Sequence, residues 1–315
     1  MKPETREFLQ RLQKGDARSL ARLMTYVDNR HEDLMELMAA VYDLGGHAYR
    51  LGVTGPPGAG KSTLVDKLIK NFRDQNKTVG VVAIDPSSPF SGGAVLGDRI
   101  RMQDHNADPG VFIRSLGSRG AHGGLSRATR DIVQLLDAYG CDVIIIETVG
   151  VGQTELDIMS VAQTTLVVLV PESGDTVQTM KAGLMEIADI FVVNKADREG
   201  ADRMASELLA LSEMYSEDWK VPVLKSVATK GDGLNNVISH CEEHQQFLQK
   251  QIADPKKQKA IKRSELMEIL VSEIAERLHE SCDSNKDFKA TIKDFDEGKI
   301  NPYQAAQNLA KRVRF

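Results

Sequence analysis

Residues 55–62 read Gly55-Pro56-Pro57-Gly58-Ala59-Gly60-Lys61-Ser62, and this octapeptide fits the pattern G-x-x-x-x-G-K-[ST]. Its glycines let backbone N–H groups turn toward phosphate oxygens, Lys61 supplies a cation for the β- and γ-phosphates, and the Ser62 hydroxyl suits Mg²⁺. An apolar run ending at Thr54 precedes it, and a helical pattern from Thr63 follows it, whose N-terminus favours anions. The sequence therefore predicts a strand, a phosphate-binding loop over residues 55–63 and a helix.

Short apolar runs recur through the middle of the chain and alternate with amphipathic segments. The runs cover residues 50–54, 79–84, 111–114, 143–146, 165–170, 190–193 and 221–224, and amphipathic segments include 63–72, 129–139 and 203–214. Several runs lack polar alternation, as expected of parallel strands that are covered on both faces. The pattern predicts an α/β fold of the P-loop NTPase type, with a mostly parallel central sheet between helices.

The two ends of the chain differ from this middle region. Leucines at helical spacing predict a helical N-terminal extension, and the basic segment PKKQKAIKR (255–263) is interpreted as a linker or exposed turn. An amphipathic helix is expected over 266–278, and Asn301-Pro302 predicts the start of a last helix. The expected division is a helical extension at 1–47, a P-loop domain at 48–250 and C-terminal helices at 251–315.

The tetrapeptide Asn194-Lys195-Ala196-Asp197 follows the apolar run 190–193. The Asp197 carboxylate can accept hydrogen bonds from guanine N1–H and the 2-amino group, a donor pair that adenine lacks. The Lys195 stem can pack on the base plane. Alone the tetrapeptide is a common turn, but its place after a phosphate-binding loop and at a strand end favours guanine recognition. Ser226-Val227-Ala228 could add a backbone contact to the guanine O6.

Three acidic residues are candidates for the metal site. Asp85 and Glu147 each follow an apolar run, and a carboxylate at a strand end beside the phosphate-binding loop can hold Mg²⁺ directly or through water. Capping of a loop is the alternative role for both. Asp98 lies in the glycine-containing segment 92–102, which is suited to switching, and Gly150 can offer a backbone N–H to the γ-phosphate.

Other polar residues allow two interpretations each. Asp175-Thr176-Val177-Gln178 resembles a helix capping box, but Gln178 and Lys181 also share a helix face from which they could reach the nucleotide or a partner. Arg101 could stabilise charge developing on phosphate or could be a surface arginine. The histidines form no cluster with metal-ligand spacing.

The composition excludes several classes of partner. A formal net charge of −5 over 315 residues does not suggest a broad nucleic-acid surface, and no apolar run is long enough to cross a bilayer. The N-terminus has no apolar core typical of a signal peptide. An odd count of cysteines, at Cys141, Cys241 and Cys282, favours reduced thiols. The expectation is a cytoplasmic protein that binds neither nucleic acid nor membrane.

Taken together, these motifs resemble the ArgK/MeaB GTPases, which belong to the group that includes the nickel-insertion GTPases of urease and hydrogenase. The resemblance covers most of residues 1–250 and rests on GPPGAGKST (55–63), VVAIDPSSPFSGGAVLGDRIRM (81–102), VFIRSLGSRGAHGGLSRAT (111–129), IIIETVGVGQTE (144–155), SGDTVQTMKAG (173–183) and EIADIFVVNKAD (186–197). It implies a SIMIBI-type G domain. Pro171-Glu172-Ser173 departs from the glycine-richer start expected for the family's third switch.

The resemblance also implies a function and residue roles. Members are homodimeric GTPases that bind GTP or GDP with Mg²⁺ and chaperone adenosylcobalamin-dependent acyl-CoA mutases, chiefly methylmalonyl-CoA mutase, by gating cofactor loading and protecting the mutase. Residues 251–315 would form the dimerisation arm. The implied catalytic and switch residues are Lys61, Arg101 in switch I, 147–153 in switch II, and Gln178 and Lys181 in the third switch. The implied metal site consists of Ser62, Asp85, Asp98 and Glu147.

Three other functions compete with this hypothesis. A P-loop kinase acting on a small substrate would use ATP, against which Asn194–Asp197 argues. A metallochaperone is disfavoured because the chain lacks histidine-rich and CxxC segments. A pure interaction module with a degenerate site is disfavoured by intact Lys61, Ser62 and Asp197.

Overall fold

In the computed structural model, seven strands form one parallel sheet within the described part of the chain. They are β1 (Tyr49–Thr54), β2 (Val79–Asp85), β3 (Val111–Gly117), β4 (Val143–Glu147), β5 (Thr164–Leu169), β6 (Ile190–Val193) and β7 (Val223–Lys225). Their spatial order is β3-β2-β4-β1-β5-β6-β7, and every adjacent pair runs parallel. The carboxyl ends of all seven strands therefore meet at one edge of the sheet.

The structure describes residues 1–85, 105, 107–117, 127–148, 158–173, 186–215, 218–252 and 255–311. The chain divides into two compact units, Met1–Leu248 and Gln249–Phe315. No helix in the ranges just given is both long enough and apolar enough to traverse a bilayer.

Helices flank the sheet in the first unit. They are α1 (Pro3–Leu12), α2 (Ala17–Asp28), α3 (Leu34–Tyr42), α4 (Lys61–Asp74), α5 (Arg127–Tyr139), α6 (Ala201–Tyr215) and α7 (Leu234–Ile252). Short 3₁₀ turns occupy Ile158–Ser160 and Pro171–Ser173. Parallel strands require crossover connections, and α4, α5 and α6 lie in three of these connections.

Strand β4 shows why the central strands are continuously apolar. Val143 and Ile145 join a core that includes residues of α4 and α7, whereas Ile144 and Ile146 join a core that includes residues of α2 and α5. Alternate side chains of a strand point to opposite faces, so a strand covered on both faces is apolar at every position. The predicted P-loop NTPase fold with a parallel sheet is confirmed.

The N-terminal helices belong to this hydrophobic core, and a buried carboxylate anchors the segment that follows them. Leu20, Leu23 and Val27 of α2 pack in the same cluster as residues of β2, β4 and α5. Asp137 of α5 accepts three backbone hydrogen bonds, from the N–H groups of residues 46, 47 and 48, at 2.8–3.0 Å. The segment that enters β1 is therefore held by α5.

Strand ends differ from the predictions by at most three residues, and β7 shows one reason. The apolar run begins at Val221, but the strand begins at Val223. Pro222 lacks an N–H donor and so cannot enter the ladder, although its carbonyl accepts a hydrogen bond from Phe191 N at 2.9 Å.

The second unit contains α8 (Pro255–Ser284), α9 (Lys286–Asp296) and α10 (Pro302–Ala310). The interpretation of residues 255–263 as a linker or turn was wrong, because this segment forms the first turns of α8. Proline is compatible with the first helical position, and lysine, glutamine and alanine are good helix formers. The predicted start of the last helix is confirmed, since Asn301 and Gln304 form a reciprocal capping box.

Candidate nucleotide-binding site

The loop between β1 and α4 owes its shape to three glycines. Gly55, Gly58 and Gly60 have φ values of +136°, +75° and +87°. A Cβ on Gly55 would lie 2.0 Å from the Val168 carbonyl oxygen, and one on Gly60 would lie 2.4 Å from Asn194 Nδ2. These two positions therefore need glycine both for backbone conformation and for space.

Lys61 is the first residue of α4 and is buried in this loop. Its Nζ donates hydrogen bonds to the carbonyl oxygens of Gly55 at 2.7 Å and Pro56 at 3.1 Å. The ammonium group is thus held against the loop backbone, at the N-terminus of a helix. Both the positive charge and the helix dipole favour an anion such as a phosphate here.

Ser62 and Glu147 join the loop to the end of β4. The Ser62 hydroxyl donates to Glu147 Oε1 at 2.6 Å, and both side chains are buried. The neighbouring hydroxyls of Thr54 and Thr148 are 2.8 Å apart. Hydroxyl and carboxylate oxygens are the ligands that Mg²⁺ prefers, so this donor set fits the metal implied by the sequence. Among the described residues, at this site or any other, no three His, Cys, Asp or Glu side chains form a group that could hold a metal ion.

Several predicted site residues are described only in part or fall outside the described residues. Asp85 ends β2, and two residues before it Ala83 pairs with Glu147 of β4, so the Asp85 backbone lies at the same sheet edge. The other candidates, Asp98, Arg101, Gly150, Gln178 and Lys181, lie outside the described residues.

Asn194 connects the base-recognition motif to the phosphate-binding loop. Its Nδ2 donates to the Ala59 carbonyl oxygen at 2.8 Å, and its Oδ1 accepts from Ser226 Oγ at 3.2 Å and from the Ala228 N–H at 3.1 Å. The side chain is buried. Asn194 therefore brings together the ends of β1, β6 and β7.

Lys195 turns the chain so that Asp197 faces the same edge of the sheet. Its backbone is left-handed, with φ +55°, and its Nζ donates to the Gly58 carbonyl oxygen at 2.7 Å. The Ala196 N–H donates to the Ser226 carbonyl oxygen at 3.0 Å, which fixes the two loops to each other. The Asp197 side chain remains 45% exposed.

A cavity of about 150 Å³ lies between these segments. Its lining residues are Gly60, Thr63, Asn194, Lys195, Asp197, Arg198, Val227, Ala228 and Thr229. The cavity thus brings together predicted residues from the phosphate-binding loop, the Asn194–Asp197 motif and the loop after β7. A pocket that is partly apolar and is lined by an Asp carboxylate suits a purine base.

Sequence reasoning missed two charged residues here. Lys230 Nζ lies 3.4 Å from Asp197 Oδ2, and Arg198 forms an ion pair with Glu172 of the 3₁₀ turn that follows β5. The hydrogen bond from Arg198 lowers the pKa of Glu172 below its usual value. Exposed lysines and arginines are common in any sequence, so no local signal distinguishes these two.

Comparison with known proteins agrees with this geometry. The profile of the family described as "Methylmalonyl Co-A mutase-associated GTPase MeaB" matches residues 20–283. A protein of Pyrococcus abyssi with GTPase in its name is 50% identical over 98% of this chain and 96% of its own length. GTPase ArgK of Escherichia coli is 38% identical over 73% of each chain.

A solved structure is similar over nearly the whole chain. The crystal structure of a protein named LAO/AO transport system kinase superposes with a TM-score of 0.71 at 26% identity, covering 99% of this chain and 98% of that one. The sequence motifs, the parallel sheet and these similarities agree, and the chain belongs to the MeaB family of methylmalonyl-CoA mutase-associated GTPases.

Proposed function

We propose that this protein binds and hydrolyses GTP in the site formed by residues 55–63, Asn194–Asp197 and 226–228. The observation that carries the proposal is the pair of hydrogen bonds from Asn194 and Lys195 to Ala59 and Gly58. These bonds hold the Asn194–Asp197 segment next to residues 55–63, and this proximity supports a single site for the base and the phosphates of one nucleotide. In this proposal Lys61 binds the β- and γ-phosphates and Asp197 selects guanine.

Mg²⁺ is the proposed metal. Ser62 and Glu147 would hold the ion or its waters, and Asp85 and Asp98 are proposed as further ligands. When bound, Mg²⁺ neutralises charge on the phosphates during transfer. The buried contact between Ser62 and Glu147 brings two oxygen ligands together next to the phosphate-binding loop, and this supports the assignment.

We further propose that GTP turnover serves an adenosylcobalamin-dependent acyl-CoA mutase, with methylmalonyl-CoA mutase as the first candidate. The family description, which names this mutase, supports the partnership. GTP binding would order the switch segments and hydrolysis would release them, so that loading of the mutase cofactor follows the nucleotide state. Gly150 would donate to the γ-phosphate.

Slow intrinsic hydrolysis is part of this proposal, because the described site contains no evident general base. Binding of the mutase would reposition Arg101, Gln178 or Lys181 and accelerate the reaction. The test is the single-turnover rate with and without the mutase, using Gln178→Ala and Lys181→Ala as variants. Equal rates in both conditions would contradict the gating role.

The second unit is the proposed dimerisation arm. Helix α8 exposes Ile261, Leu266, Met267, Leu270 and Val271, each by 45% or more. A soluble helix rarely exposes so many apolar side chains close together unless a partner covers them. Light scattering of the wild type and of the double variant Leu266→Glu/Val271→Glu tests the dimerisation role. The wild type should be a dimer and the double variant a monomer, and a monomeric wild type would contradict the proposal.

Nucleotide preference tests the main proposal and separates it from a kinase. A kinase stays a second candidate because the protein in the similar solved structure is named a transport system kinase. Calorimetry should give tighter binding of GTP than of ATP, and Asp197→Ala should abolish the difference. Tighter ATP binding by the wild type would instead support a kinase.

A further inference from the structure

Lys230 directly follows three residues that line the proposed base pocket, and it contacts the carboxylate that would read the base. Its Nζ is 3.4 Å from Asp197 Oδ2, and Val227, Ala228 and Thr229, just before it in the chain, line the pocket. The two side chains are 61% and 45% exposed. An ion pair this exposed to water contributes little to folding stability. Its position next to the pocket instead suggests a role in ligand binding.

The backbone around Lys230 is tightly constrained. The N–H groups of Lys230 and Gly231 donate to the Val227 carbonyl oxygen at 2.9 and 3.0 Å, and Val227 N donates to Asp232 O at 3.0 Å. Gly233, with φ +78°, approaches so closely that a Cβ there would lie 2.1 Å from the Lys225 carbonyl oxygen. The lysine therefore starts from a fixed position in the loop.

The backbone next to Asp197 is also constrained, by a hydrogen bond from its own loop. Ala196 N donates to Ser226 O at 3.0 Å, so the backbone next to Asp197 is bound to the loop that carries Lys230. What the backbone does not fix is the rotation of the Asp197 carboxylate. The ammonium of Lys230 is a neighbouring group that can restrain this rotation, because it lies next to one of the two carboxylate oxygens.

We infer that Lys230 is a positioning residue for base recognition: it holds the Asp197 carboxylate so that both oxygens meet the two donors of guanine. The inference rests on the proposed GTP site. Guanine offers N1–H and a 2-amino group, whereas hypoxanthine offers N1–H alone. Losing the restraint should therefore weaken binding of guanine nucleotides more than binding of inosine nucleotides.

Lys225 provides a matched control for Lys230. It ends β7 in the same part of the chain, is 52% exposed and pairs with an aspartate, Asp202, at 2.7 Å. That pair does not line the pocket. Lys225→Met and Lys230→Met each remove one positive charge and one ion pair with an aspartate. Of the two lysines, Lys230 is the one that contacts Asp197.

The experiment measures dissociation constants for GTP, inosine triphosphate and ATP by calorimetry in wild type, Lys230→Met, Lys230→Arg and Lys225→Met. For Lys230→Met, we expect the affinity for GTP to fall about fivefold, which is the size of one exposed charged contact. The ratio of the affinity for GTP to the affinity for inosine triphosphate should fall by a similar factor. ATP affinity should not change. Lys230→Arg should restore the ratio, and Lys225→Met should match the wild type.

The possible results separate this inference from the function on which it rests. If the wild type prefers GTP but Lys230→Met and Lys225→Met have the same ratio, the positioning role is wrong and the GTP site stands. If Lys230→Met binds GTP more tightly, Lys230 competes with the base and the inference is also overturned. If the wild type fails to prefer GTP over ATP, the proposed function itself fails. Equal thermal melting of the two methionine variants excludes misfolding as the cause.

Discussion

Asn194 donates a hydrogen bond from Nδ2 to the carbonyl oxygen of Ala59 at 2.8 Å, which ties the end of β6 to the phosphate-binding loop. Both of its oxygen contacts go to the loop after β7. One buried amide thus organises three loops from three strands. A side chain with this role affects folding and ligand binding together.

Asn194→Asp should lose both properties, because the new carboxylate cannot donate to the Ala59 carbonyl oxygen and would lie against it. We expect the free energy of unfolding to fall by about 2 kcal/mol, the usual cost of leaving a buried polar group unsatisfied. Urea unfolding with and without GDP is the measurement, and the stabilisation by GDP should shrink. Asn235→Ala, on the exposed side of α7, is the control and should behave like the wild type.

The contact between Ser62 and Glu147 predicts how nucleotide affinity depends on the metal. Removing Mg²⁺ with EDTA should weaken GDP binding by the wild type about tenfold, equivalent to about 1.4 kcal/mol. Ser62→Ala should show the weaker affinity in both conditions, because it lacks the hydroxyl ligand. Ser206→Ala removes an exposed hydroxyl on α6 and serves as the control. An EDTA effect of equal size in Ser62→Ala would exclude Ser62 as a ligand.

Asp137 predicts a large loss of stability far from the nucleotide. Asp137→Ala leaves the N–H groups of residues 46–48 without their acceptor, and these groups are partly or fully buried. We expect the free energy of unfolding to fall by about 3 kcal/mol while GDP affinity is unchanged. Asp202→Ala, which removes an exposed carboxylate, should cost less than about 0.5 kcal/mol. Similar melting of the two variants would refute the anchoring role of Asp137.

His244 predicts a pH dependence whose sign can be tested. Burial lowers the pKa of His244 to about 4 and raises the pKa of Asp189, 3.3 Å away, to about 6. Neutral His244 makes its whole contribution to stability when the pH is above the pKa of histidine in the unfolded chain. This contribution is lost as the pH falls toward 4. Asp189 has the opposite effect, since its raised pKa adds stability as the pH falls below 6. The two contributions largely cancel in the wild type.

Replacing the histidine removes only one of these contributions. His244→Gln keeps a hydrogen-bonding side chain near Thr164 and Asp189 but does not titrate. The stability difference between wild type and variant should therefore shrink by about 2 kcal/mol between pH 7 and pH 5. Urea unfolding at several pH values measures it. A difference that grows on acidification would show that His244 is charged in the folded protein.

The nucleotide-binding loop and the sheet could be predicted from sequence because each depends on local chemistry. Glycines at fixed spacing before Lys61, and apolar runs between helical segments, carry that information in neighbouring residues. The helix over residues 255–263 was not predicted because a high density of lysine is typical of exposed linkers, although lysine is also a good helix former. Lys230 and Asp137 were missed because their partners lie 33 and 89–91 positions away, a distance over which no sequence pattern operates.

The parallel sheet separates two kinds of residue onto opposite rims. At the carboxyl ends of the strands lie Gly55, Asp85, Asn194 and Ser226. At the edge where strands begin lie Asp189, Trp219, His244 and the residues bound by Asp137. Mutations on the first rim should change nucleotide binding, and at Asn194 stability as well, whereas mutations on the second rim should change the melting temperature and leave nucleotide binding unchanged. Natural variation or protein engineering can therefore adjust thermal tolerance at one rim without altering nucleotide choice at the other.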